Sequence, residues 1–193
     1  MKRFRIKISY NSPVILTFSL LAFVVMFIDS YINSDFVRNY FMVYRSSLLD
    51  PFFYFRLFSY CLGHSGWSHF TNNFAYILLI GPLVEEKYGS EKLLKILLIT
   101  VLVGGLVNVI FFPRVALRGA SGVVFMLIIL SSITSIAKGD IPITFILVCG
   151  IYLYREVYNA IFVSDNISQL THIMGGLCGA FFGLTQGHKR SRK

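Results

Sequence analysis

Long stretches without a single charged side chain, such as residues 119–137, constrain this chain more than any motif does. A helix must run through roughly 20 apolar residues to cross a hydrocarbon core of about 30 Å, and stretches of this kind recur along the 193 residues. Only 14% of residues are charged while 55% are hydrophobic, and mean hydropathy is +0.68. A soluble domain carries about a quarter charged residues. The chain therefore reads as an all-α membrane protein forming one compact bundle, with no room for a separate soluble domain.

The net charge of +9 does not point to nucleic acid. Basic residues gather at the termini (Lys2, Arg3, Arg5 and Lys7; Lys189, Arg190, Arg192 and Lys193) and in short breaks between apolar runs. A nucleic-acid binder sets them along a face or groove. Cys61, Cys149 and Cys178 have no CxxC spacing and make an odd count, so neither a metal site nor a disulfide framework is indicated. No cofactor is expected.

Six spans are predicted, near 13–32, 70–87, 91–112, 120–137, 141–160 and 168–187, with a long connection from Ser34 to Gly66 between the first two. Residues 1–12 form a basic N-terminal segment, 13–187 the six-span domain and 188–193 a basic tail. The first span imitates a signal peptide, but it is long and no small-x-small cleavage site follows, which favours a retained anchor. With the N-terminus in the cytosol, twelve of the eighteen Lys and Arg residues fall inside, including every lysine, and six fall outside. The positive-inside rule then places both termini in the cytosol.

Polar groups cost several kcal/mol in hydrocarbon when unpaired. The notable ones are His69, Asn72 and Asn73 at the start of the second span, then Asn108, Ser121 and His172. The second, fourth and sixth spans all run from outside to inside. His69, Asn73, Ser121 and His172 thus fall in one layer near the outer membrane face. His69 and Asn73, four apart, share a helix face. Ser121 lies in Gly119-Ala120-Ser121-Gly122, where small neighbours leave the hydroxyl reachable, and a helix N-terminus leaves its N–H unpaired. His172 precedes Gly175, Gly179 and Gly183, the small-xxx-small pattern of close membrane packing. If the sixth span packs on the fourth, the imidazole reaches the Ser121 hydroxyl, and serine needs such a base to act as a nucleophile. Asn108, beside Gly104 and Gly105, reads as an interhelical hydrogen-bonding residue. Glu85 and Glu86 read as headgroup-level residues at the inner end of the second span. The abundant phenylalanines read as lipid-facing bulk.

At these residues the sequence resembles the rhomboid family of intramembrane serine proteases, of the bacterial and archaeal six-helix type. The resemblance is carried by His64-x4-His69-x3-Asn73, by Gly81-Pro82-Leu83-Val84-Glu85 with Tyr88-Gly89-Ser90, by Gly119-Ala120-Ser121-Gly122, and by His172-xx-Gly175-xxx-Gly179. It implies a rhomboid bundle with a long outer loop between helices 1 and 2, and a Ser121–His172 dyad without a carboxylate. It further implies an oxyanion hole from the Ser121 N–H, His69 and Asn73. Gly119, Gly122, Gly175 and Gly179 would be structural, His64 would be structural in the outer loop, and Arg56 would resemble the arginine of a WR-type motif that helps hold that loop in the membrane. Two residues depart from the pattern: Phe55 stands where many relatives carry Trp, and Phe125 where Tyr is common.

The expected activity is endopeptidase cleavage in or near the transmembrane segment of membrane proteins, with the lipid bilayer as the medium. A non-catalytic rhomboid-like protein that binds membrane clients is the alternative, and it predicts loss of the serine or histidine. A transporter expects midplane polar groups and repeats; the polar groups here lie off-centre. A rhomboid specialised for substrates with a C-terminal sorting signal is not separable on sequence. Small size and the lack of an organellar presequence point to a prokaryotic plasma membrane.

Overall fold

The computed structural model describes residues 9–133 and 166–187, with isolated helical positions at 143, 146, 147, 150, 151 and 154. The basic segment 1–8, the Lys138–Asp140 turn, most of the expected fifth span, Cys149, and the tail 188–193 lie outside the described residues. The elements are α1 (Pro13–Tyr31), α2 (Phe36–Tyr40), α3 (Pro51–Ser59), which runs on into a 3-10 turn at Tyr60–Leu62, α4 (Trp67–Tyr88), α5 (Ser90–Phe111), α6 (Ser121–Ile133) and α7 (Asn166–Gly187). The described residues form no strand. One isolated antiparallel bridge joins Val43 to Leu117.

Each helix start has a local cause. Pro13 opens α1 with a preset backbone angle. Asp50 caps α3 by accepting from the Phe52 N–H at 2.9 Å. Gly89, at φ 83, ends α4 and begins α5, a left-handed geometry that suits glycine. By length and composition α1 and α5 can cross a membrane, and shorter apolar helices occupy Ser121–Ile133 and Leu170–Thr185.

The distribution of exposed side chains is that of a protein surrounded by lipid. α1 buries Ile15, Phe18, Ala22 and Met26 on one face, yet Leu20, Leu21, Phe23, Val24 and Phe27 on its other faces are exposed. α5 likewise exposes Leu94, Leu98, Ile99, Leu106, Ile110 and Phe111. A helix apolar all round with half its surface uncovered is stable only in an apolar medium. Not all aromatics face outward. Phe70 and Phe74 stack at 4.6 Å, and both rings border His64 inside the bundle.

Glu85 lies in the last turn of α4, as expected, and its side chain is held inside the protein. Only 3% of it is exposed. Its carboxylate accepts from the N–H groups of Val14 and Ile15, both at 3.0 Å, and from the Ser90 hydroxyl at 2.7 Å. Ser12 makes no capping bond to α1, so the orphan donors of that helix take the carboxylate of α4 instead. One side chain thereby joins α1, α4 and α5. Nearby, Gly81 lets α1 approach, since a Cβ there would lie 2.6 Å from Ile15 Cδ1. Glu85→Gln keeps the size but loses the charge, and should cost about 2 kcal/mol of stability. Exposed Glu86→Gln should change less than about 0.5 kcal/mol. Thermal unfolding in detergent compares the two.

Asn108 differs from expectation. Its side-chain amide donates to the carbonyls of Val115 at 3.0 Å and Val43 at 3.3 Å, so it ties two connecting segments rather than two helices. Gly104 and Gly105 face Tyr60 and Leu57 of the α3 region, where side chains would collide.

Candidate active site

The segment before α6 is fixed along its length. Val43 and Leu117 exchange both main-chain hydrogen bonds, at 2.9 and 2.8 Å, and the Gly119 N–H donates to the Tyr60 carbonyl at 3.0 Å. Together with the Asn108 clamp, this holds the chain until Ala120 accepts the first helical bond from Val124. Ser121 is the first residue of α6, half-buried, and its N–H has no acceptor within the helix.

α4 brings two donors to this point. Gly119 has φ +119, and a Cβ on it would lie 2.8 and 2.9 Å from the Cε1 and Nε2 atoms of His69 and 3.8 Å from Nδ2 of Asn73. Glycine is thus required both for backbone angle and for space. The Nδ1 atom of His69 faces Ser65, with the Ser65 N–H at 3.5 Å and its hydroxyl at 3.0 Å. With Nδ1 accepting from that N–H, the ring proton sits on Nε2, the edge turned to Gly119. Asn73 is buried and, among the described residues, its Nδ2 has no hydrogen-bond partner. Asn72 is exposed.

α7 brings the second histidine through close helix packing. A Cβ at Gly175 would collide with the carbonyl of Gly122, one at Gly179 would lie 2.5 Å from the Met126 oxygen, and one at Gly183 2.8 Å from Ile133 Cγ2. Beside this seam lies the buried Thr171, whose methyl and carbonyl oxygen would be 3.3 and 3.4 Å from a Cβ on Gly122. The ring of His172 lies 4.6 Å from the ring of Phe125 and is tilted by 44°. Ser121 precedes Gly122 at the start of α6, and His172 follows Thr171 on α7.

His64 supports the site from behind. It is 1% exposed and lies before α4, its ring edge-on to His69 at 4.9 Å. Its Nδ1 bonds the Leu62 carbonyl at 3.2 Å, which fixes the proton on that nitrogen. Burial, then the charges of His69 and Arg118, pushes its pKa down to about 3. Unfolded, the ring takes up a proton near 6.5. Above that value neither state is charged and His64 makes no pH-dependent difference. As pH falls from 6.5 towards 3 the unfolded state is favoured, by about 2 kcal/mol at pH 5. The drop in unfolding midpoint between pH 7 and pH 5 should therefore shrink in His64→Phe.

Arg56 lies at the far side of the connection, on α3. It is buried, pairs with Asp50 at 2.6 Å, bonds the Ser46 hydroxyl at 3.1 Å and stacks 4.5 Å over the Tyr44 ring. These contacts lock the connection onto itself. Phe55 next to it is exposed and meets the Phe41 ring.

Several contributors escaped the sequence reading. Tyr60 supplies the carbonyl that positions Gly119, and its hydroxyl donates to the Val101 carbonyl at 3.0 Å; no motif signals either bond. Ser65 does carry a signal, standing four residues before His69.

The family model of the rhomboid domain matches residues 51–189. The chain is similar to rhomboid-like protein 11, chloroplastic, of Arabidopsis thaliana, at 28% identity over 60% of this chain and 46% of that one. It is similar to rhomboid-related protein 1 of Caenorhabditis elegans at 31% over 66% of this chain and 38% of the relative. Rhomboid-related protein 2 of Mus musculus is 30% identical over 67% of this chain and 47% of the relative. The chain spans less than half the length of each. The matched region begins at Pro51, where α3 starts, and takes in every residue that converges around Gly119 and along the α6–α7 seam. Built of apolar helices and matched over most of its length, this integral membrane protein belongs to the rhomboid family.

Proposed function

We propose that the chain is an intramembrane serine endopeptidase that hydrolyses a peptide bond in or near the transmembrane segment of other membrane proteins. The observation that carries this reading is the convergence of the His69 Nε2 edge and the unpartnered Asn73 amide on Gly119, two residues before a serine at a helix N-terminus. A donor left unpaired in an apolar interior is costly unless an anion arrives.

In this reading His172 takes the Ser121 hydroxyl proton as Oγ attacks the scissile carbonyl. The resulting oxyanion accepts from the Ser121 N–H, His69 and Asn73. Collapse expels the amine, which receives its proton from His172. A water, deprotonated by the same imidazole, then releases the acyl group from Ser121. Phe125 packs its tilted ring against the imidazole, which limits the rotation of that ring. An intact substrate helix hides its carbonyls, so a helix-breaking or small residue near the scissile bond assists cleavage. Six spans with both termini in the cytosol, as the Lys and Arg placement favours, put the site near the outer face of the membrane.

The test is reconstitution of the purified chain with a tagged single-span substrate, beside labelling by a serine-reactive fluorophosphonate. Cleavage, with the label mapped to Ser121, supports the reading. Absence of both cleavage and labelling refutes it and leaves client binding as the function.

A further inference from the structure

Arg118 stands where a positive charge is disfavoured. It lies three residues before Ser121, close to the N-terminus of α6, whose dipole favours anions. Its charge bears on both His64 and His69. The ion pairs among the described residues are Arg38–Asp35, Arg56–Asp50 and Lys95–Glu91, and none reaches it. Among the described residues its Nη1 meets the thioether of Met42, at 3.8 Å, a weak acceptor. Arg38, Arg45 and Arg114 are exposed, whereas Arg118 is half-buried. A half-buried guanidinium with no carboxylate partner among the described residues is a costly arrangement, and such local conflicts mark places where a ligand completes the site.

We propose that Arg118 is a specificity-determining residue that receives the carboxylate of an Asp or Glu side chain carried by the substrate within a few residues of the scissile bond. The inference rests on the peptidase reading above. Gly119, the next residue, is the backbone around which the His69 and Asn73 donors gather. A substrate carbonyl held there presents its neighbouring side chains at about 3.3 Å per residue of extended chain, within reach of an arginine. Anionic lipid headgroups offer related chemistry, but the half-buried Arg118 is less open to the bilayer surface than the exposed Arg45 or Arg114.

The experiment uses the full chain in phosphatidylcholine vesicles and a set of single-span substrates bearing Glu, Gln or Lys at successive positions around the scissile bond. At one position wild type should prefer Glu over Lys by about tenfold or more in kcat/KM. Arg118→Gln should bring that ratio close to one, Arg118→Glu should invert it, and Arg118→Lys should retain part of it. Fluorophosphonate labelling of Ser121 identifies variants whose site is folded. A wild-type ratio near one at every position overturns the proposal and needs no variant. So does a ratio that persists in folded Arg118→Gln. If that variant keeps the ratio and instead loses sensitivity to added phosphatidylglycerol, the arginine serves headgroups. Wild type that neither cleaves nor labels removes the peptidase reading itself, and this inference with it.

Discussion

Ser121→Ala and His172→Ala should each lower kcat/KM for a single-span substrate by about 10⁴-fold or more, and the double variant should be no worse than either alone. The reason is that in the proposed mechanism the two groups perform one step. Without the imidazole the hydroxyl keeps its proton and attacks poorly; without the hydroxyl the imidazole has no nucleophile to activate. Asn73→Ala should behave differently, cutting kcat by about 10² to 10³ while KM changes little, because its amide meets charge that exists only in the transition state. Folding is a weak alternative explanation for these losses. Ser121 and His172 are half-buried, and truncating them leaves the glycine seam untouched. Unfolding midpoints near wild type, measured beside the rates, separate chemistry from stability. Variants that cleave at wild-type rates would remove Ser121 and His172 from the reaction.

The layout of the site was legible in the sequence because it depends on spacing within helices. Ser121 with its flanking glycines, the four-residue step from His69 to Asn73, and His172 ahead of Gly175 are local patterns that a 3.6-residue helix turns into geometry. The α1, α4, α5 and α7 boundaries fall within three residues of the expected spans for the same reason. What was not legible depends on contacts between distant segments. Glu85 follows an apolar run, as a headgroup residue would, and nothing near it in the chain reveals that its partners are N–H groups some 70 residues earlier. Asn108 sits among glycines that suggest a helix interface, yet its amide reaches carbonyls in connecting segments that carry no periodic signal. Long-range polar pairing is set by tertiary approach, which hydrophobic patterning does not encode.

That dependence on close approach gives the largest stability effect. Gly175→Ala should cost more than about 3 kcal/mol and abolish labelling of Ser121, although alanine is the better helix former by about 1 kcal/mol. The added methyl would meet the carbonyl carbon of Gly122 at 2.8 Å and its Cα at 3.0 Å, and these backbone atoms cannot rotate aside. α6 and α7 must separate, which draws the Thr171–His172 turn away from the start of α6, so stability and site geometry fail together. Gly176→Ala is the internal control, since its methyl would lie 3.7 Å from Ile129 Cγ1, an ordinary contact. Helix propensity should leave that variant equal to wild type or slightly more stable. Unfolding midpoints and labelling of the two variants in one detergent decide the matter. Equal behaviour would mean that the α6–α7 seam is looser than a backbone-to-backbone contact, and that the glycines of α7 do not set the position of His172.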